Sequence, residues 1–277
     1  MPDEGGDTGQ IHVRQAITPD EIEAAQRLRY DVFFKEFGAH PSPDVAAQER
    51  DFDHYDDYMD HLIVIDPDVS ENNGVVGTYR LMTAEGAKRA GGFYTSSQFD
   101  IAPLLQSGAR LLEVGRSCVL APYRTMPVLQ LLWSGIARYI SEHQIDLMFG
   151  CASFHGTDPD AIKEELSLLY HNHLAHAELR PRALPDLYVD MDTIPRDQIE
   201  PRKVFMMLPP LIKGYLRVGA TIGDGAVVDE QFNTTDVCIV MPTYMITDKY
   251  LKHYERTFTQ PIQRNVLIRS SEEGEDD

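Results

Sequence analysis

Two ionisable residues, Glu113 and Arg116, stand inside one apolar run from Leu111 to Leu120. Turn-forming residues bound the run, so it reads as a buried strand. A charge at a buried strand position is costly unless it is paired or lines a cavity. Three residues apart on a regular strand, the two side chains would point to opposite faces. Either a bulge brings them together or each serves its own face. The polar turn Pro122-Tyr123-Arg124 follows, and then an apolar helical run over 128–140. Strand, polar loop, helix is the arrangement in which α/β enzymes offer backbone N–H groups to a phosphate.

Other candidate groups fall on elements that the pattern defines. Arg29 lies on a helix expected over 19–37, with Thr18 as N-cap, Pro19 at the first helical position, acids in the first turn and Gly38 as C-cap. The loop 39–58 holds Glu49, Asp51, Asp53, Asp56 and Asp57, which alone reads as a solvated acidic surface. Arg80 falls near the end of the second of two strands, 61–65 and 74–82, joined by a turn at 70–74. A short strand or loop at 93–99 and a short helix at 101–107 precede the Glu113 strand. Beyond it come a strand at 146–154 and a helix at 159–174 with Tyr170 on its apolar stripe. A proline-rich extended loop at 177–202 leads to a helix at 211–218 carrying Lys213 and Arg217. A Gly223-Asp224-Gly225 loop, a strand at 235–241 and a polar helix at 242–256 complete the reading. His171, His173 and His176 spread around their helix, so no metal site is expected. Cys118, Cys151 and Cys238 read as small buried hydrophobes in a reducing cytosol.

The 277 residues suffice for one large domain or a domain with an appendage. The element order gives a mixed α/β sheet. The net charge of −19 excludes nucleic acid as a partner and disfavours broad adhesion to anionic lipid. No apolar run is long enough to span a bilayer, and the acidic start is not a signal peptide, so a cytoplasmic protein is expected. Glycine-rich dinucleotide, Walker A, nucleophile-elbow and zincin motifs are all missing.

This order resembles the Gcn5-related N-acyltransferase fold, with Leu111 to Leu120, residues 121–127 and residues 128–140 as its core strand, phosphate loop and helix. Members carry a glycine-rich loop for the coenzyme A pyrophosphate, but Arg124-Thr125-Met126-Pro127-Val128-Leu129 has no glycine, and Pro127 lacks an N–H. Fewer amides suit a donor with a single phosphopantetheine phosphate, which implies acyl carrier protein. Arg29-Tyr30-Asp31-Val32-Phe33, Asp53-His54-Tyr55-Asp56, Gly77-Thr78-Tyr79-Arg80-Leu81 and Glu113-Val114-Gly115-Arg116 resemble, in order, four motifs of acyl-homoserine-lactone synthases. Longer matches bring in Phe93 to Asp100, Leu112 to Val119, Phe149 to Gly156, Leu208 to Arg217 and Phe232 to Asp236. With these the chain resembles the bacterial L-ornithine N-α-acyltransferases that begin ornithine-lipid synthesis.

The resemblance implies transfer of a 3-hydroxyacyl chain from acyl carrier protein, through its 4'-phosphopantetheine, to the α-amine of L-ornithine, with no further cofactor. Residues 1–10 are expected to be a disordered acidic start and 11–176 the acyltransferase core. Residues 177–256 would be an extension packed on the acceptor and acyl-chain side, and 257–277 a flexible acidic tail. Glu113 is the expected general base, or a buried partner of Arg116 or Arg80. Asp53 and Asp56 are candidates for an acceptor ammonium; Arg29, Arg80 and Arg116 are candidates for its carboxylate or for fixing the acidic loop. Tyr170 is either the acid for the leaving thiolate or a core residue. Ser153 either touches pantetheine or caps its strand. Arg124, Lys213 and Arg217 either meet the carrier and its phosphate or are solvated surface. Leu211, Ile212, Tyr215 and Leu216 either wall the acyl tunnel or touch the inner membrane. Another amino-acid N-acyltransferase, a homoserine-lactone synthase and a non-catalytic carrier-binding protein remain alternatives.

Overall fold

The computed structural model describes residues 10–243. Its strands are β1 (His12–Gln15), β2 (Asp60–Ile65), β3 (Val75–Thr83), β4 (Phe99–Asp100), β5 (Leu111–Val119), β6 (Leu147–His155), β7 (Arg182–Ala183), β8 (Thr221–Asp229) and β9 (Thr234–Pro242). Its α-helices are α1 (Pro19–Tyr30), α2 (Pro43–Gln48), α3 (Ala84–Ala90), α4 (Ala102–Gln106), α5 (Met126–Glu142), α6 (Lys163–His173), α7 (Pro201–Met207) and α8 (Pro210–Arg217). Among the described residues the strands form one mixed sheet in the order β1-β2-β3-β5-β6-β9-β8-β7-β4. This is the mixed α/β class expected from the element order.

Local chemistry sets the frame. Thr18 accepts from the Glu21 backbone while the Glu21 side chain accepts from the Thr18 backbone, a reciprocal cap that starts α1 where the sequence places it. The α-helix ends earlier than expected, at Tyr30, and the chain runs on as a wider π-helical turn, Asp31–Glu36. Ala24, Ala25, Leu28 and Val32 pack against Ile63, Val75 and Cys118 of the sheet. On the opposite face, Leu132, Ile136 and Ile140 of α5, Leu166 and Leu169 of α6, and Ile212 and Tyr215 of α8 share one core.

Residues 177–243 add three strands to the same sheet, with β9 lying between β6 and β8. The extension is therefore part of the sheet itself. Gly223-Asp224-Gly225, read from sequence as a loop, is a bulge within β8, where register slips between Ile222 and Ala226. Gly225 has φ +86°, and a Cβ there would strike the Tyr188 ring at 2.5 Å, so the glycine serves the bulge rather than a turn. The expected helix over 242–256 lies, beyond its first two residues, outside the described residues, as do the tail and most of the acidic start. Pro242 itself closes β9.

Two departures from regular pairing shape the middle of the sheet. First, Thr78 faces Cys118 and Arg80 faces Gly115, so Tyr79 alone opposes both Arg116 and Ser117. Arg116 has φ +49°, the left-handed conformation of a bulge. Second, β5 and β6 pair in parallel only from Leu111↔Leu147 to Glu113↔Phe149, although both strands run on to Val119 and His155. The strands splay from Val114 onward. At the base of the splay a Cβ on Gly150 would lie 2.1 Å from the Val114 carbonyl oxygen. Gly150→Ala is therefore expected to destabilise the fold by about 1–3 kcal/mol, read as a lower denaturant midpoint, and an unchanged midpoint would show that the β5–β6 contact can give way freely.

Candidate active site

The β5 bulge answers the question posed by Glu113 and Arg116. With one extra residue in the strand, both side chains meet the same neighbour, Tyr94. The Tyr94 N–H donates to Glu113 Oε2 at 3.0 Å, and the Arg116 guanidinium lies 4.8 Å from the Tyr94 ring centroid.

Glu113 is 2% exposed. The Thr95 N–H donates to its Oε1 at 2.6 Å and the Thr95 hydroxyl also hydrogen-bonds the carboxylate, so three donors of the turn at Tyr94–Ser97 fix it. Among the described residues no salt bridge joins Glu113 to Arg80 or Arg116, and Arg80 acts on it only as a charge beyond salt-bridge distance. Burial raises its pKa above the ordinary carboxylate range, against the pull of the Thr95 and Tyr94 donors and of Arg80. A rigid carboxylate with its proton affinity moved towards neutrality is what a general base requires.

The arginines do something else. Arg29, 0% exposed, pairs with Asp51 at 2.8 Å and Asp56 at 2.8 Å, and also donates to the Asp51 carbonyl. Arg80 reaches Asp53 at 2.7 Å and Asp56 at 3.1 Å; Arg116 reaches Asp51 at 3.2 Å and Asp53 at 3.4 Å. Three guanidinium groups from α1, β3 and β5 thus interleave with three carboxylates of one loop. Of the acids that read as solvated surface, Asp51, Asp53 and Asp56 form a largely buried, charge-balanced lattice, while Glu49 and Asp57 are exposed. Burial opposes ionisation of Asp56, but Arg29 and Arg80 outweigh it and hold its carboxyl below the usual range. His61, beneath Asp56, is pushed down to about 4 by burial and by Arg29, so it is neutral at physiological pH. Asp56 is accordingly engaged with arginine on both sides, whereas Asp53 keeps 25% of its side-chain surface. Arg116, at 12%, is the most accessible of the three arginines and lies against the Phe232 ring at 4.3 Å.

A second polar cluster adjoins Glu113 on the other side, and sequence reasoning missed it. Cys151 Sγ lies 3.8 Å from Thr95 Oγ1 and 3.2 Å from Gln98 Oε1. The Gln98 amide donates to Asp229 at 3.1 Å and more weakly to Asp236 at 3.4 Å. Ser153 hydrogen-bonds Asp236, and Thr234 donates to it at 2.9 Å. Ser153 is therefore turned towards an acid. Burial, with Asp229 nearby, raises the Asp236 pKa. Among the described residues neither aspartate has a salt-bridge partner. The available signal was a lone acid inside the apolar run 235–241, the same anomaly that singled out Glu113.

The remaining candidates are dispersed. Tyr170 sits on α6 against the α5–α8 core, on the sheet face away from the Tyr94–Ser97 turn, with its ring edge to His171. Arg124 lies at the end of β5, donating to the Val119 carbonyl at 3.0 Å and held by two 2.6 Å bonds to Glu36. Lys213 and Arg217 lie on α8, where Lys213 donates to the Met206 carbonyl and Arg217 stands over Phe205. The expected carrier-contact group is thus divided between two places. Of the expected tunnel residues, Ile212 and Tyr215 are buried, and the Tyr215 hydroxyl lies 3.1 Å from that of Tyr79.

Comparison with known proteins follows the same lines. The family described as "Acetyltransferase (GNAT) domain" matches residues 28–134, the segment containing the arginine–aspartate lattice and Glu113. A coenzyme A-dependent acyl-homoserine lactone synthase is similar in structure, at 16% identity and TM-score 0.49, covering 91% of this chain and 92% of its own. The L-ornithine N(alpha)-acyltransferase of Brucella abortus (strain 2308) is 47% identical over 253 residues, 90% of each chain. That of Rhodobacter capsulatus is 41% identical over 247 residues, 88% of this chain and 94% of its own. With similarity of that depth along nearly its whole length, this chain belongs to the family of L-ornithine N(alpha)-acyltransferases.

Proposed function

We propose that the protein transfers a 3-hydroxyacyl group from acyl carrier protein to the α-amine of L-ornithine, giving lyso-ornithine lipid. The observation that carries this reading is Glu113: a buried carboxylate fixed by two backbone amides, unpaired by arginine, at the base of the β5–β6 splay. The names of the relatives support ornithine as acceptor.

The chemistry divides as follows. Glu113, through a water, removes a proton from the α-ammonium, and the neutral amine attacks the thioester carbonyl. The C–N bond forms, the C–S bond breaks, and the thiolate takes up a proton. Tyr170, which faces the sheet from α6, supplies that proton through the β5–β6 splay. Arg116 receives the acceptor carboxylate, being the accessible arginine of the lattice. Arg29, Arg80 and Asp56 hold the loop that covers the site, and Asp53 presents the loop's accessible carboxylate to an ammonium. The second ammonium of ornithine falls to Asp229 and Asp236, with Ser153 orienting Asp236. The Tyr79–Tyr215 hydroxyl pair, beside Ser117, is a polar feature of the α5–α8 core able to meet a 3-hydroxyl group. Arg124 stands at the end of β5 where a phosphopantetheine phosphate would replace Glu36, and Lys213 and Arg217 offer positive charge to an acidic carrier.

Purified protein incubated with 3-hydroxyacyl-acyl carrier protein, the matching acyl-coenzyme A and a panel of amino acids tests this by mass spectrometry. N-acyl-ornithine from the carrier-bound donor is the expected product. Product only from coenzyme A would refute the donor assignment, and product only with another amino acid would refute the acceptor. In the same assay Asp236→Asn is expected to raise KM for ornithine about tenfold, with the donor KM unchanged. Asp53→Asn should raise it less. An unaltered ornithine KM in Asp236→Asn would remove that residue from the acceptor site.

A further inference from the structure

The segment 201–217 carries Arg202, Lys203, Lys213 and Arg217 and no acidic residue, in a chain of net charge −19. It forms α7 and α8, joined through Leu208 and Pro209. Val204, Leu208, Ile212 and Tyr215 are buried and fasten the pair to the core. The outer side of α7 is different: Met206 and Met207 are 66% and 52% exposed, with Arg202 and Lys203 exposed one turn before them and Lys203 in a loose, solvent-exposed 3.8 Å pair with Glu200 that phosphates can replace. A groove of about 450 Å³ lies alongside, lined by Leu168, Phe205 and Met206, with His173 and Arg202 among its polar groups.

We propose that α7 and its corner with α8 dock the protein on an anionic bilayer, with Met206 and Met207 entering the acyl boundary and Arg202 and Lys203 meeting headgroup phosphates. Charge complementarity selects this occupant. A strongly negative protein is repelled by anionic lipid except through a local basic face, so the face also fixes the orientation of approach. An acidic protein would satisfy the cations alone, whereas a bilayer also covers adjacent exposed methionines. The proposal rests on the acyltransferase reading for its purpose, since the product would be a lipid, and not for its physics.

Flotation of the full chain with vesicles tests it directly. Wild type is expected to bind an equal mixture of phosphatidylglycerol and phosphatidylcholine in preference to phosphatidylcholine alone, and to be released by salt. Arg202→Gln with Lys203→Gln should weaken binding about 25-fold, roughly fivefold per charge. Met206→Ser with Met207→Ser should weaken it at every salt concentration. Unchanged melting temperatures would show that both variants are folded, and a variant that melts early is replaced by its single substitutions. Absence of wild-type binding, or equal binding by both variants, overturns the proposal. So does a loss of affinity for acyl carrier protein in both variants with vesicle binding intact, which would make the face a protein dock. Turnover of a soluble short-chain donor should be unchanged in the variants; its absence in wild type would refute the enzyme reading while leaving the vesicle result standing.

Discussion

Glu113→Gln is expected to lower kcat by about a hundredfold, the usual contribution of a positioned general base and roughly 2.7 kcal/mol of barrier, in a protein that stays folded. The amide is isosteric, and its oxygen still accepts one of the two N–H groups that hold the carboxylate, from Tyr94 and Thr95. Because burial raises the Glu113 pKa, the folded state prefers the protonated form. The stability associated with that preference is present below the unfolded-state pKa and is lost as pH rises through the folded-state value. Removing the carboxyl lifts that penalty at neutral pH, but the N–H left facing the amide nitrogen costs about 1–3 kcal/mol, so stability should fall modestly while the fold is kept. Catalysis runs the other way: kcat/KM of wild type should fall as pH drops through the raised pKa, and the glutamine variant should lack that acidic limb. Wild-type turnover, or an intact acidic limb, in the variant would exclude Glu113 as base.

Arg29→Met acts on stability instead. It leaves Asp51 and Asp56 buried with a central counter-charge removed, and breaking a buried pair in this way costs about 3–5 kcal/mol. Denaturant unfolding should show the loss. The wild-type lattice also sets a pH limit. The Asp56 and Asp53 carboxyls are held below their ordinary range, so their contribution is complete above the unfolded-state value of about 4 and is lost as pH falls through the folded-state values. Unfolding free energy should decline below about pH 4, and less steeply in Arg29→Met. A variant as stable as wild type would mean that the aspartates find other compensation.

Much of this arrangement was legible in the chain. The cap at Thr18, the strand around Glu113 and the helix after Pro127 follow from local periodicity and capping, which depend on neighbours in sequence. The anomaly of charges within an apolar run left a bulge or a site on each face open, and the structure has the bulge. What the chain did not disclose depends on partners far away. Whether Asp53 and Asp56 face solvent or arginine is decided by α1 and β3 folding over one loop, and no local pattern encodes that. Gly223-Asp224-Gly225 carries the composition of a turn, yet pairing with β9 overrides it. Asp236 is marked in the chain only as a lone acid in an apolar run, because its neighbours Gln98 and Ser153 come from segments 138 and 83 residues before it. α7 escaped detection because its seven residues are too few to establish a period.

The place of β9 has a consequence for how the molecule is made. β6 pairs in parallel with β5 over three residues only, but along its full length with β9, from Leu147↔Pro242 to His155↔Thr234. As the nascent chain leaves the ribosome, β6 must wait for the last described strand before its main edge is satisfied. Until then it is an open, apolar strand edge, prone to pairing with another chain. Such distant pairings are slow to form. The assembly of this half of the sheet should therefore wait for the synthesis of β9, and a chain stopped before Thr234 should aggregate rather than accumulate as a soluble core.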